Sequence, residues 1–293
     1  MVLHPQARAA VEAAAGLTPI WAPGYDIAAV RAADRETALA QPREDVAAVR
    51  DVDADGVPCR VYVPDDTVPG TVVHLHGGGF VFNDVDVHDA AARRLANRSG
   101  LTVLSVDYRL APEHRFPAAP DDVDTVLRWL ERTGDTGPGP TYAHGDSAGG
   151  NLALVAALRN PGLFRAVVLI YPFLDPSAGF DSYHTAEDGF GIEEARWYWR
   201  QYAASPADLA DPDLAPLLSD RLGTLPPTLV VTGEHDPLRD EGEHLVAVLA
   251  EAGVEVVGTR YLGQVHGFWR HFTIFDAAEP LTRQVAAFLR QHA

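Results

Sequence analysis

Thr141-Tyr142-Ala143-His144-Gly145-Asp146-Ser147-Ala148-Gly149-Gly150-Asn151-Leu152-Ala153-Leu154 runs from a short strand pattern into a helical one through small residues. Residues 145–149 read G-x-S-x-G, a pattern that puts a serine on the sharp turn between a strand and a helix. A serine there needs a strained backbone, and small neighbours let strand and helix approach closely. The helix that follows, 148–159, aims its free N–H groups and the positive end of its dipole at the Ser147 hydroxyl. Taken alone, the five letters also fit a Gly/Ser turn without chemistry, so the surroundings decide.

On either side of this turn, strands and helices alternate. Strand-like runs fall at 71–76, 101–107, 141–145, 166–171, 228–232 and 254–261. Helical periodicity fills 87–99, 118–131, 148–159 and 238–252, with a last helix near 281–291. Such alternation predicts an α/β fold: a mostly parallel sheet with helices on both faces. Two further strands, 46–52 and 57–63, flank Asp53-Ala54-Asp55-Gly56, which reads as a hairpin turn. The first forty residues read as two helices, 7–15 and 27–40, broken at Thr18-Pro19 and Pro23-Gly24. One segment, 175–217, lacks a strand but carries Phe180, Tyr183, Phe190, Trp197, Tyr198, Trp199 and Tyr202. An insertion placed there is expected over the C-terminal edge of the sheet, where α/β proteins bind ligands. With the two N-terminal helices it would make a small helical cap.

A serine hydroxyl is inert without a base and a group that orients the base. On this type of turn the partners follow in the order acid, then histidine. Asp236, in Gly233-Glu234-His235-Asp236-Pro237, follows one strand, and His266, in Gln264-Val265-His266-Gly267-Phe268, follows the next. Both therefore fall on the same sheet edge as Ser147, Asp236 as orienter and His266 as general base. The other histidines considered, His4, His88, His114, His244, His271 and His292, lack that placement. Asp240 and Glu241 look suited to capping the helix that starts at Leu238, and Asp146 to bracing the turn. Upstream, His76-Gly77-Gly78-Gly79-Phe80 ends a strand. Consecutive glycines can turn amides inward toward a developing oxyanion, and Gly77, Gly78 and Ala148 are the expected donors. A phosphate-binding loop is the alternative, but the G-x-G-x-x-G spacing is absent.

Composition narrows the function classes. The chain has 293 residues, 47% of them hydrophobic and 22% charged, inside the range of globular proteins. A formal charge of −18 argues against a nucleic-acid or membrane-surface partner. All 23 basic residues are arginine, which excludes Schiff-base and P-loop chemistry that requires lysine. Cys59 is the single cysteine and reads as a small buried residue in a strand. No stretch approaches the roughly 18 apolar residues of a membrane span, and residues 1–8 do not read as a secretory signal. A cytoplasmic enzyme is the expectation.

Four motifs in register, 76–80, 145–150, 236–242 and 266–268, together with 108–119, resemble the bacterial hormone-sensitive-lipase-like esterases (family IV, GDSAG type) of the α/β-hydrolase superfamily. The resemblance spans about residues 46–269. It implies an α/β-hydrolase core over 46–179 and 216–293, and a cap from 1–45 and 180–215. It further implies Ser147 as nucleophile, Asp236 and His266 as its partners, an oxyanion hole from Gly77, Gly78 and Ala148, and neither metal nor organic cofactor. The implied activity is hydrolysis of short- to medium-chain acyl or aryl esters through an acyl-enzyme, and the implied partner is a small-molecule ester, with a homodimer plausible. Amide hydrolysis on the same scaffold is the alternative; receptors that reuse the fold lose the histidine that is present here. Phe80, Tyr183, Trp197 and Phe268 are the candidate pocket residues. Asn83, where such enzymes usually carry glycine, and Ala215-Pro216-Leu217, in place of Ser-Pro-Leu, depart from the pattern.

Overall fold

The structure, a computed structural model, describes residues 2–293. Strands β1 (Ala48–Ala54) and β2 (Val57–Val63) form the expected hairpin, with Ala54 opposite Val57. Its two-residue turn, Asp55-Gly56, has φ of 55° and 96°, the left-handed pair that matches strand twist. Asp53 Oδ1 accepts the Gly56 N–H at 2.7 Å and closes the turn.

Six more strands follow: β3 (Thr71–Leu75), β4 (Thr102–Val106), β5 (Thr141–Asp146), β6 (Phe164–Ile170), β7 (Thr228–His235) and β8 (Val256–Val265). The eight-stranded sheet has the order β1-β2-β4-β3-β5-β6-β7-β8. The hairpin joins it antiparallel through β2 and β4, and every pair from β4 to β8 is parallel. Every residue of β3 and β4 is buried, as a parallel sheet covered on both faces requires.

The covering helices divide by face. Helices α3 (Asp89–Ser99) and α9 (Ala278–Gln291) contribute Leu95, Leu281, Val285 and Leu289 to one apolar cluster, and Ala7 of α1 (Pro5–Ala14) joins it. Helices α4 (Ala118–Thr133), α5 (Ala148–Arg159) and α8 (Arg239–Glu251) fill the other with Val123, Leu127, Leu154, Leu245 and Leu249. Helix α5 is buried from Ala148 to Leu158 and lies hard on the sheet. A Cβ at Gly149 would stand 2.0 Å from the Leu75 carbonyl oxygen, so only glycine permits that approach.

Two segments rise over the C-terminal strand ends. One holds α2 (Ile27–Leu39), whose Arg31 pairs with Glu113 at 2.9 Å and donates to the Val81 and Ala111 carbonyls. The other holds α6 (Ser182–Thr185) and α7 (Ile192–Tyr202). Asp240 and Glu241 fasten this second segment instead of capping α8, which begins at Arg239. Asp240 accepts from the Ser182 N–H, and buried Glu241 accepts from the Leu174 N–H and the Tyr183 hydroxyl. The expected capping role fails because long-range donors that the sequence does not reveal reach these carboxylates. Beneath the site, the loop after β4 is tied by the Arg109–Asp122 pair and by Tyr108, which donates to the His76 carbonyl at 2.6 Å.

Candidate active site

Strand β5 delivers Ser147 at the sheet edge, and α5 starts on the next residue. Ser147 has φ 55° and ψ −121°, a left-handed backbone held by two bonds. Its N–H donates to the Ile170 carbonyl at 2.9 Å, and its own carbonyl accepts from the Phe173 N–H at 3.1 Å. Register brings the other two groups together: His235 of β7 pairs with Val265 of β8, so Asp236 and His266 leave neighbouring strands side by side. His266 Nε2 lies 2.9 Å from Ser147 Oγ, and His266 Nδ1 lies 2.8 Å from Asp236 Oδ2. Asp236 is fully buried, and its second oxygen accepts from the Leu238 N–H at 2.9 Å.

Burial by itself would push the His266 imidazole toward its neutral form, but the net shift is upward. The hydrogen-bonded charge of Asp236 is the main opposing cause, assisted by Asp146 and Glu194. The base is therefore more basic than an ordinary histidine, in contact with the hydroxyl it would deprotonate.

The glycine loop requires a correction. The Gly77 N–H is not free for an oxyanion: it donates to Asp146 Oδ1 at 3.0 Å. The amides of Gly78, Gly79 and Ala148 find no acceptor among the described residues, and Gly78 and Gly79 both line the cavity beside Ser147. A Cβ at Gly79 would stand 2.1 Å from the Tyr198 ring, which makes glycine obligatory there. Asn83 keeps a left-handed φ of 69°, a conformation asparagine tolerates, and its Nδ2 donates to the Gly77 carbonyl at 2.9 Å. The departure from glycine at this position thus adds a bond that holds the loop.

The cavity over Ser147 measures about 300 Å³. Tyr171, Phe173, Phe190 and Tyr198 supply its rings, Tyr25 and Val30 a wall from the N-terminal segment, and Asp34, Glu194, Arg270 and His271 its polar groups. The Phe190 ring stacks 4.8 Å from the His266 ring. None of the four pocket residues expected from the sequence lines it. Phe80 turns away at φ 64° and stacks 3.7 Å from Tyr202 in the core. The Tyr183 ring is wholly buried, its hydroxyl on Glu241, and Phe268 packs against Tyr171 and Tyr261 beneath the site. Trp197 stacks on Phe82, because the next residue on α7, Tyr198, is the one turned to the cavity. The i, i+4 pair Glu194 and Tyr198 was the legible signal, since both lie on one helix face. Burial pushes the Glu194 carboxyl up to about 7.

Below the turn lies a chain of buried histidines. His74 Nδ1 is 2.9 Å from His144 Nδ1, and His74 Nε2 is 3.2 Å from His88 Nδ1. Among the described residues, His74, His88 and Asp146 are the one trio whose donor atoms all lie within 4.8 Å of each other. Within the trio His74 is hydrogen-bonded to His88, and Asp146 Oδ1, 3.8 Å from His88 Nδ1, accepts from the Gly77 N–H. Burial pushes the Asp146 carboxyl up to about 6 while it braces Gly77. No helix among the described residues is long and apolar enough to cross a membrane.

A family described as having the alpha/beta hydrolase fold matches residues 72–270. Ethyl acetate hydrolase of Pseudomonas putida is 35% identical over 82% of this chain and 80% of its own length. Carboxylic ester hydrolase LipN of Mycobacterium tuberculosis is 38% identical over 82% of this chain and 68% of its own. A solved hyperthermophilic esterase from the archaeon Pyrobaculum calidifontis superposes with a TM-score of 0.87 at 35% identity, over 98% of this chain and 97% of that one. With the strand order and the four motifs in register, these likenesses mean that the chain belongs to the hormone-sensitive-lipase-like esterases of the α/β-hydrolase superfamily.

Proposed function

We propose that the protein is a serine carboxylesterase in which Ser147 is the nucleophile, His266 the general base and Asp236 the group that orients it. The observation that carries this reading is the continuous chain from Ser147 Oγ through both nitrogens of His266 to Asp236, with bonds of 2.9 and 2.8 Å. Ser147 Oγ attacks the ester carbonyl carbon while His266 Nε2 takes its proton. The amides of Gly78, Gly79 and Ala148 stabilise the oxyanion, each such donor contributing about 10²- to 10³-fold. Collapse of the intermediate breaks the C–O bond, and His266 returns the proton to the departing alcohol. Water, deprotonated by His266, then releases the acid and restores Ser147.

A cavity of about 300 Å³ suits short to medium acyl or small aryl groups, and its polar wall suits dissolved esters better than lipid aggregates. Segments 1–45 and 180–215 serve as the cap of this reading, because Tyr25, Val30, Phe190 and Tyr198 roof the nucleophile. The reading includes a cytoplasmic setting. Hydrolysis of p-nitrophenyl esters from acetate to long acyl chains, with and without a serine-directed phosphonate, tests it. Phosphonate-sensitive turnover that peaks at short to medium chains is expected. Turnover confined to long, aggregated chains, or insensitive to phosphonate, would overturn the assignment.

A further inference from the structure

Of the 23 arginines, only Arg8, Arg200 and Arg270 have side chains without an acceptor or ion-pair partner among the described residues. Arg8 and Arg200 are exposed to solvent; Arg270 is half-buried and lines the cavity over Ser147. A guanidinium carries five N–H donors in a rigid fork and keeps its charge at every working pH. To leave that fork unpaired in a partly desolvated pocket costs stability unless something else comes to fill it. The acids nearby do not fill it: Asp146 is engaged by the Gly77 amide, and Asp34 feels the Arg270 charge without forming an ion pair. The charge is felt locally, for Arg270 is the chief cause that holds His271 down to about 3.

We propose that Arg270 is a specificity residue that takes a carboxylate on the ester, so that the preferred substrates are esters that carry a free acid group. The planar fork matches a carboxylate with two parallel hydrogen bonds. Asp34 and Glu194 share the cavity, so a singly charged carboxylate fits better than a doubly charged phosphate. Glu194, pushed up to about 7, is partly protonated at neutral pH and can donate to the same anion. Ser147 and Arg270 line one cavity of about 300 Å³, which leaves room for a short chain between ester and acid.

The inference rests on the esterase reading, and the experiment separates the two. We would measure kcat and KM for monoethyl glutarate against ethyl valerate, and for 4-acetoxybutyrate against butyl acetate, in wild type, Arg270→Gln and Arg270→Lys. The wild type should favour the acid-bearing member of at least one pair. In Arg270→Gln that preference should fall about 10- to 100-fold, mostly through KM, and Arg270→Lys should recover part of it. Preferences that do not change with Arg270→Gln in either pair would overturn the proposal. If Arg270→Gln does not fold, inhibition of wild-type p-nitrophenyl acetate hydrolysis decides: glutarate must inhibit more strongly than 1,5-pentanediol, and equal inhibition overturns the role of Arg270. Absence of phosphonate-sensitive turnover of any ester would bring down the esterase reading itself.

Discussion

His266 keeps a narrow opening to the cavity, with 17% of its side chain exposed, and the histidines beneath it are wholly buried. Burial disfavours the charged form of all of them, yet only His266 is driven upward. His74, His88 and His144 pack around one another and Trp269, and burial holds each of them well below the ordinary histidine range, His144 to about 3. His76, stacked on Tyr108, is held to about 4 by the same cause. His266 overcomes burial because Asp236 accepts its Nδ1–H at 2.8 Å. For His88 the nearest carboxylate oxygen, on Asp146, is 3.8 Å away and already accepts from Gly77. Burial alone therefore makes a silent, neutral imidazole, and a directly bonded carboxylate turns the same ring into a base.

The largest expected effect comes from Ser147→Ala, which should lower kcat about 10³- to 10⁶-fold with the fold intact by circular dichroism. Near-normal turnover would end the assignment of the upper region as catalytic. Next, Asp236→Asn removes what sets His266 apart from the lower cluster. A loss of about 10³- to 10⁴-fold in kcat is expected, with the acid limb of the residual activity moved to lower pH. Asp240→Asn, which loosens Ser182, should instead cost about 1 kcal/mol in denaturant unfolding and leave kcat within a few-fold. The reverse outcome would mean that Asp240 is the acid.

The pH profile sharpens the contrast further. The base works only when neutral and its affinity for the proton is raised, so kcat/KM should climb with pH through a value above 6.5. A flat profile between about pH 5 and 9 would contradict this. The lower cluster should show in stability and not in rate. Between the ordinary value of 6.5 and its folded value of about 3, His144 binds a proton in the unfolded chain and not in the folded one. Stability is therefore complete above that window and falls as pH drops through it. His144→Val should flatten this loss in urea unfolding at pH 7 and pH 5, and an unchanged slope would remove His144 from the account.

What could be read along the chain was whatever repeats locally. Alternating strands and helices, the Asp55-Gly56 hairpin and the strand–serine–helix turn all follow from short-range pattern, and the structure contains all eight strands. Ser147, Asp236 and His266 could be placed on one edge because each directly follows a parallel strand, and parallel strands end together. Roles inside loops were not legible, because no period governs which way a loop residue points. Gly77 was expected to face the oxyanion and instead holds Asp146, while Gly79 turns inward. Phe80, Tyr183, Trp197 and Phe268 carry the aromatic character of a pocket wall, but packing turned them into the core, and Tyr171, Phe190, Tyr198 and Arg270 line the cavity in their place. Sequence by itself determined the class of fold and which residues stand together at the strand ends. Tertiary structure alone decided which amides are free, which rings meet a substrate and which arginine lacks a partner, because each depends on atoms brought together from distant parts of the chain.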